Sequence, residues 1–466
     1  MNHLLHFSNS SENEFYKDEI INYSCISEFL KIKYKQEIFE LGIDNYQTIV
    51  IYLQDQKLLM PILIILDELC LNIHLANRSI YDRYQKNNKS ADFIISDISL
   101  PSDRFPLREW KLLGTTVYVY KNRDRQNEFE YLEDTKFVFY TSGTTGTECE
   151  VAKSKETLVR EALAIVETLD LTSQDTILCN TSVFHAYGQA YGVFAACLAG
   201  ARVRYLPAFV LPMHIINALQ TEKFNILIST PYYYNMIYHE LLDVKDMRYM
   251  LSSGGKLSDK VINSKLKINN AYGSTETGAI AIQRYERGGD SSYVGTPIKG
   301  VQILMDEVIM EKNGQKIYQL KVKSDYMYDY KKVNGHVEKF QSLYYQLGDI
   351  GYIDDDGNLN ICGRIDSIIN LNGGRISTDE IEKIIQQCEY VDIAKVVKEK
   401  DQKENEYLVA YATVKKDCEP SQIKAYCQQN LDYNKIPRHI FIVKEFKFSE
   451  SGKIVNLQNR KNGEIV

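Results

Sequence analysis

Short apolar segments alternate with amphipathic helical segments along most of this chain, and this alternation constrains its fold more than any other feature. Seven β-rich segments bounded by polar residues or glycine are predicted strands: 48–53, 92–96, 135–140, 176–180, 224–229, 249–253 and 267–272. A helix is predicted between the third and the fourth, where apolar residues recur at helical spacing up to Leu169 and Ser154 is placed to cap it. The pattern predicts an α/β architecture with largely parallel sheets.

The character of the sequence changes twice toward the C-terminus. From residue 291 to 361 the predicted strands are hairpin-connected, with a tight turn at Asn313 and Gly314. A second boundary is predicted near Gly363. Beyond it, Ser377 and Glu380 form a capping box that opens a helix, followed by strands at 393–398 and 407–414, a helix near 421–429 and a strand at 439–444. This segment reads as a compact α+β unit of about 100 residues, an ordinary size for a small domain.

Composition excludes several classes of protein. The 466 residues carry a net charge of -7, with 44% apolar and 25% charged residues, which is typical of a soluble globular protein and argues against nucleic acid as the main partner. No apolar stretch is long enough to predict a membrane span, and the polar, acidic start does not resemble a signal peptide. Nine scattered cysteines without a CxxC pair predict reduced thiols and a cytoplasmic location.

One predicted strand runs into a loop made almost entirely of small hydroxyl residues and glycines. The loop consists of Thr141, Ser142, Gly143, Thr144, Thr145 and Gly146. Such a loop can wrap phosphates, because glycine lets the backbone approach and N–H and O–H groups donate to phosphate oxygens. It is not a Walker A loop, since no Gly-Lys-Ser/Thr follows. An ordinary polar turn is the alternative interpretation.

This loop resembles the phosphate loop of the adenylate-forming superfamily, which includes acyl- and aryl-CoA synthetases and the adenylation domains of peptide synthetases. Further segments resemble the superfamily's motifs in order and spacing: 270–278, 347–351, 363–376 and 451–454. The resemblance covers the chain from about Gly42. It implies a large N-terminal adenylation domain (1–362) of parallel-rich α/β subdomains with a small β-barrel-like subdomain. A small, mobile α+β C-terminal domain (363–466) that carries the catalytic lysine would follow.

The resemblance implies roles for the central motif. Tyr272 would lie against the adenine, Thr275 would contact the α-phosphate and Glu276 would coordinate Mg²⁺. A carboxylate is a hard oxygen ligand that suits this ion. A solvated surface carboxylate is the alternative for Glu276 taken alone, and the motif around it favours the metal role. The remaining nucleotide-binding positions implied in this part of the chain are Ala271, Gly273 and Ser274, together with Gly254 and Gly255 in a glycine-rich turn that backs the adenine and the acid.

Later motifs supply the ribose contact, the hinge and the catalytic lysine. By resemblance, Asp349 accepts hydrogen bonds from both ribose hydroxyls, which a carboxylate with two acceptor oxygens can do. Arg364 would lie near the nucleotide, Asp366 would be the hinge between the domains, and Arg375 would belong to the face used in the second half-reaction. Lys453 would bridge the carboxylate and the α-phosphate during adenylation, where a fixed cation stabilises developing charge.

The sequence departs from the superfamily pattern in the phosphate loop. That loop normally continues with Pro-Lys, but Glu148 and Cys149 stand there. Losing the lysine puts pyrophosphate handling in doubt, and Lys153, a few residues on, is a candidate to reach back. Asn370 and Asn456 replace residues that are often lysine and arginine in the hinge and final motifs.

The motif that would contact the substrate differs from that of amino-acid-activating members of the superfamily. Amino-acid-activating relatives carry Phe-Asp where this chain has Phe184 and His185. A buried ammonium without a carboxylate would be costly, so a plain carboxylic acid is expected. A satisfied core histidine is the alternative for His185.

Together these features predict ATP- and Mg²⁺-dependent activation of an aryl or fatty carboxylic acid to an acyl-adenylate, with transfer to the thiol of CoA or of the phosphopantetheine arm of a separate carrier protein. His185, Thr275, Glu276 and Lys453 are the predicted catalytic residues. Two alternatives remain at this point: an amide-forming ligase that uses the same adenylate, and a degenerate nucleotide-binding member without catalysis.

Overall fold

A computed structural model describes most of the chain in two compact units. The described residues are 16–17, 19–22, 29–76, 91–100, 105–121, 135–142, 148–207, 210–284, 292–333, 336–371, 374–401, 406–448, 454–455, 460–461 and 464–465. The first unit is formed by Met1–Ile303 and Val322–Tyr345, and the second by Leu304–Lys321 and Gln346–Val466. The division at 362/363 inferred from the sequence stays a prediction.

The described elements include 31 strands and nine α-helices. The strands are β1 (Tyr16–Lys17), β2 (Ile20–Asn22), β3 (Thr48–Tyr52), β4 (Asn72–Ala76), β5 (Phe93–Ser96), β6 (Arg108–Leu112), β7 (Thr115–Lys121), β8 (Lys136–Ser142), β9 (Glu148–Ser154), β10 (Thr176–Cys179), β11 (Arg202–Tyr205), β12 (Ile226–Ser229), β13 (Tyr249–Ser252), β14 (Asn269–Ser274), β15 (Gly278–Ile282), β16 (Tyr293–Pro297), β17 (Val301–Lys312), β18 (Gln315–Ser324), β19 (Tyr330–Val333), β20 (His336–Lys339), β21 (Tyr345–Ile353), β22 (Leu359–Arg364), β23 (Ile368–Leu371), β24 (Gly374–Ser377), β25 (Val391–Lys400), β26 (Glu406–Val414), β27 (His439–Ile442), β28 (Lys447–Phe448), β29 (Ile454–Val455), β30 (Arg460–Lys461) and β31 (Glu464–Ile465). The helices are α1 (Phe29–Leu41), α2 (Leu59–Ile65), α3 (Lys155–Leu169), α4 (Ala196–Ala199), α5 (Pro212–Thr221), α6 (Pro231–Leu241), α7 (Asp259–Ile262), α8 (Thr378–Gln386) and α9 (Pro420–Asn430). A π-helix spans Gly188–Ala195, and short 3₁₀ turns span Gln56–Leu58, Ile365–Ser367 and Tyr433–Lys435.

One sheet of the first unit has a parallel centre in the order β11-β10-β12-β13-β14, and β15 and β16 extend it antiparallel. Its central strands are buried on both faces, which explains their continuous apolar runs. One face packs against α3 and the π-helix, and the other packs against α5 and α6. This layering confirms the predicted α/β class.

A second sheet of the first unit has the order β20-β19-β9-β8-β4-β3-β5-β7-β6. The strands β8, β4, β3 and β5 are parallel, whereas β9 pairs antiparallel with both β8 and β19. Ser154 caps α3 as expected, because its side chain accepts a hydrogen bond from the Thr157 backbone N–H. The cap fixes where β9 ends and α3 begins.

The second unit combines antiparallel strands with an α+β segment. Strands follow the order β22-β21-β18-β17, and Asn313 and Gly314, both with positive φ, form the predicted turn between β17 and β18. The strands β25, β26 and β27 form a sheet that shares an apolar core with α8 and α9. Ser377 caps α8 by accepting from the Glu380 backbone N–H, which is one half of the predicted capping box, whereas the Glu380 carboxylate pairs with Lys312 Nζ. None of the described helices is long and apolar enough to cross a membrane.

Candidate active site

The predicted phosphate loop joins β8 to β9 in a hairpin. Thr141 and Ser142 are the last two residues of β8, and they are paired with Cys149 and Glu148 of β9. The remaining predicted loop residues, Gly143, Thr144, Thr145 and Gly146, lie outside the described residues. The loop therefore connects the end of β8 to the start of β9, which lie side by side.

Lys153 does not serve this loop, contrary to the expectation that it could reach back. Its side chain is 1% exposed, and its Nζ lies 3.3 Å from Oε2 of Glu161, itself buried on α3. Glu161 also accepts a hydrogen bond of 2.9 Å from the Ala279 backbone N–H. Because a buried ammonium needs a paired carboxylate, Lys153 is held in the core as a structural ion pair.

The central motif forms the end of β14 and its turn into β15. Ala271, Tyr272, Gly273 and Ser274 lie on β14, and a β-bulge falls between Tyr272 and Gly273. A side chain at Gly273 would clash with the Gly278 carbonyl oxygen, so this close approach requires glycine.

Glu276 lies in the turn between β14 and β15, directly after Thr275. The turn is held by the end of β18 and by the segment that follows it: Ser324 Oγ donates to the Thr277 carbonyl, and Tyr328 N donates to the Glu276 carbonyl, both at 2.9 Å. The side chain of Glu276 is 17% exposed. A positioned, partly exposed carboxylate fits the usual binding of Mg²⁺ by one or two carboxylates together with substrate phosphates.

Lys331 of β19 is the charged partner of Glu276, and it is not among the residues predicted from the sequence. Its Nζ lies 3.1 Å from Glu276 Oε1 and 6.0 Å from the centre of the Tyr345 ring. Burial acts to lower the pKa of Lys331, but the charge of Glu276 and the hydrogen bond to its carboxylate raise the pKa overall. No motif marks Lys331, because it reaches the site through strand pairing.

Three buried polar residues lie level with one another at the carboxyl ends of neighbouring strands. Asn180 directly follows β10, Ser229 ends β12 and Ser252 ends β13; Ser229 is paired with Ser252, and Cys179 with Ile228. All three are at most 2% exposed, and their side-chain polar atoms find no hydrogen-bond partner among the described residues. Buried polar groups are normally hydrogen-bonded, so this row marks a place for a polar ligand or water.

The glycine-rich turn and His185 also follow the carboxyl ends of strands in this sheet. Gly254 and Gly255 follow β13, and Gly254 has a φ of +87°, which favours glycine. His185 lies between β10 and the π-helix, where its backbone N–H donates to the Ser182 carbonyl. The π-helix comes so close to this segment that a side chain at Gly188 would clash with the Ser182 carbonyl oxygen.

The second unit places the predicted ribose and hinge residues together. Asp349 of β21 is paired with Arg364 of β22, and Arg364 Nη1 lies 3.3 Å from Asp349 Oδ1. Arg364 Nε lies 3.3 Å from Oδ1 of Asp366, in the 3₁₀ turn. Burial works against the charge of Arg364, but these two carboxylates raise its pKa overall. Arg375 is on β24 with its side chain undescribed, and Lys453 lies outside the described residues.

Comparison with known proteins identifies the class of this fold and site. The family model of the AMP-binding enzymes matches residues 73–312, and the model of the C-terminal domain of AMP-binding enzymes matches residues 380–453. The chain therefore belongs to the AMP-binding enzyme family.

Named relatives have modest sequence identity. A 2-succinylbenzoate–CoA ligase of Listeria innocua is 28% identical over 338 residues, covering 69% of each chain. The acetyl-coenzyme A synthetase of Bacillus subtilis is 25% identical over 371 residues, covering 73% of this chain and 65% of that enzyme. This chain thus spans about two thirds of the length of the curated relatives it matches.

Solved structures share the fold. The o-succinylbenzoate CoA synthetase of Bacillus subtilis, solved with AMP, has a TM-score of 0.73 at 19% identity and covers 93% of both chains. The same enzyme has been solved with ATP and a magnesium ion. The family match confirms the predicted class of AMP-binding enzyme, and the relatives named above are acid–CoA ligases.

Proposed function

We propose that this chain activates a carboxylic acid that carries hydrogen-bonding groups, such as a substituted aryl acid, rather than an unsubstituted fatty acid. The observation that carries the proposal is the row of Asn180, Ser229 and Ser252. In open α/β sheets, ligands bind outside the carboxyl ends of the strands, which is where this row lies. An aliphatic tail there would leave these buried groups without partners, at a cost of roughly 1–3 kcal/mol each.

The reaction has two balanced steps. In the first, a carboxylate oxygen of the acid attacks the α-phosphorus of ATP, and pyrophosphate leaves. In the second, the thiol of CoA or of a phosphopantetheine arm attacks the carbonyl of the acyl-adenylate, AMP leaves and the thiol proton is released. The CoA ligases among the relatives support CoA as the acceptor, and the synthases of bacitracin and zwittermicin support a carrier protein.

The roles proposed for individual residues follow the motifs and their local geometry. Glu276 holds Mg²⁺, which supplies charge compensation at the phosphates, and Thr275 donates to the α-phosphate. The hydroxyls and backbone N–H groups of Thr141 to Gly146 bind the phosphates. Asp349 binds the ribose hydroxyls, and Lys453 stabilises charge at the reacting carboxylate and α-phosphate.

The remaining proposed roles concern binding of the acid and the adenine and the change from the first half-reaction to the second. His185 and the turn at Gly254 and Gly255 line the acid and the adenine, with Tyr272 against the base. Asp366 acts as the hinge, and Arg375 belongs to the second half-reaction. We further propose a 1–362/363–466 domain division and a cytoplasmic location, which the eight free thiols among the described cysteines support.

Acid-dependent ATP–pyrophosphate exchange across a panel of aryl, fatty and amino acids tests the function. We expect exchange with substituted aryl or other polar acids and little with unsubstituted fatty acids. Asn180→Ala and His185→Ala should change the ranking of acids, whereas Asn217→Ala, at an exposed position of α5, should leave it unchanged. Silence with every acid while ATP still binds would contradict the proposal. A preference for plain fatty acids would contradict the role of the polar row.

A further inference from the structure

The hairpin that carries the phosphate loop has no spare positive charge in its described strands. Lys136 and Lys153 are its two lysines: Lys136 Nζ lies 3.5 Å from Asp329 Oδ2, and Lys153 pairs with Glu161. Cys149, which replaces the usual loop lysine, is buried, and burial raises the pKa of its thiol, so it is neutral at neutral pH. Phosphoryl transfer nevertheless depends on cations placed against the phosphate oxygens.

Strand pairing brings one further lysine to this hairpin. β19 pairs antiparallel with β9, so that Lys331 is level with Val151 and Val333 with Cys149. Thr141 is level with Cys149 on the other side. Because residues paired across strands, and residues two apart along a strand, share one face of a sheet, Lys331 lies on the same face as Cys149 and Thr141.

Lys331 is also tied to the carboxylate proposed to hold the metal. Its Nζ lies 3.1 Å from Glu276 Oε1, with the two side chains 22% and 17% exposed. The ammonium group thus lies between the base of the phosphate loop and the turn after β14. In that place it neutralises Glu276 while no nucleotide is bound.

We propose that Lys331 supplies the ammonium group that the phosphate loop itself lacks. Its ammonium pairs with Glu276 before nucleotide binds, and it then moves to the phosphate oxygens of ATP and of the leaving pyrophosphate. Once Glu276 holds the metal, Lys331 loses its partner carboxylate and needs another anion. The flexible four-carbon stem of lysine allows its head group to turn to the phosphates without backbone movement. This assignment rests on the proposed function.

Titration calorimetry of inorganic pyrophosphate with Mg²⁺ tests the proposal without requiring the acid. Lys331→Met should weaken binding roughly 10- to 100-fold, the usual effect of losing one charged hydrogen bond. Lys332→Met is the matched control, because Lys332 is level with Glu150 on the opposite face, and it should bind within about twofold of the wild type. Thermal melts verify that each variant is folded.

Moving the charge back to the loop gives a second, independent readout. In the Lys331→Met background, Cys149→Lys should restore most of the pyrophosphate affinity, whereas Cys149→Met, of similar size but uncharged, should not. Unchanged affinity in Lys331→Met, equal effects of the two Cys149 substitutions, or no binding by the wild type would overturn the assignment. Lys331-dependent pyrophosphate binding without acid-dependent exchange would refute the proposed function and leave the assignment standing.

Discussion

At the scale of single residues, the charge on Lys153 stabilises the fold through its ion pair with Glu161. It is 1% exposed and paired at 3.3 Å with Glu161, which also binds the Ala279 N–H and so joins α3 to β15. Lys153→Met leaves the Glu161 carboxylate buried without its cation. We expect the free energy of unfolding to fall by about 3–5 kcal/mol, measured by urea denaturation followed by circular dichroism.

The double variant separates charge from packing. Lys153→Met with Glu161→Gln removes both charges and keeps an acceptor for the Ala279 N–H, so it should be more stable than Lys153→Met alone. A single variant as stable as the wild type would mean that Lys153 is not a structural partner of Glu161.

Asp349 offers a residue-scale test of the ribose contact. Asp349→Ala should weaken ATP binding roughly 10- to 100-fold, because hydrogen bonds to a charged group contribute about 1.5–3 kcal/mol. Titration calorimetry of ATP measures the effect. Asp355→Ala, an exposed carboxylate in the turn between β21 and β22, is the matched control and should bind ATP normally. Equal affinity in all three proteins would exclude the contact.

Residue types and spacing allow site residues to be proposed where they are contiguous in the sequence. The segment from Ala271 to Glu276 forms one strand and one turn, so a linear motif captures it. Lys331 could not be found this way. Its place depends on pairing between β19 and β9, which are far apart in the sequence, and its partner Glu276 comes from a third segment.

At the scale of secondary-structure elements, the π-helix depends on a glycine. Gly188→Ala would force the start of this helix away from the Ser182 carbonyl and displace the segment that carries His185. We expect a loss of about 1–3 kcal/mol in the free energy of unfolding, as for overpacked cores, together with a raised KM for the acid. Chemical denaturation and exchange kinetics measure the two effects. A normal KM in the folded variant would show that the π-helix does not position the acid site.

Hydrophobic patterning predicted seven strands that the structure contains, but it missed other elements, including the parallel strands β4 and β11, the strand β9 and the π-helix. β9 was not predicted, because Glu150 and Lys153 are charged and yet buried, which hides its apolar face. The π-helix was not predicted either, since its residues are buried all round and carry no amphipathic period. In both cases tertiary pairing, not local pattern, determines the element.

At the scale of the whole molecule, a single substitution should impair one half-reaction and leave the other intact. Lys453→Ala should lower adenylate formation at least about 10²-fold, as for the loss of one preorganised charge, yet spare thioester formation from a supplied acyl-adenylate. Pyrophosphate release and product mass measure the two steps. Lys435→Ala, on the 3₁₀ turn after α9, serves as a control of the same charge. Equal loss in both steps would contradict a role confined to adenylation.

The pairing of β9 with β19 also has a consequence for synthesis on the ribosome. The β8–β9 hairpin emerges early, but β19, the strand that covers the outer edge of β9, is translated only after the whole of the β10–β16 region. During that interval a seven-residue strand presents unpaired backbone groups, the kind of edge that recruits other chains. Nascent chains that stall before residue 330 should therefore be bound by chaperones and prone to aggregate.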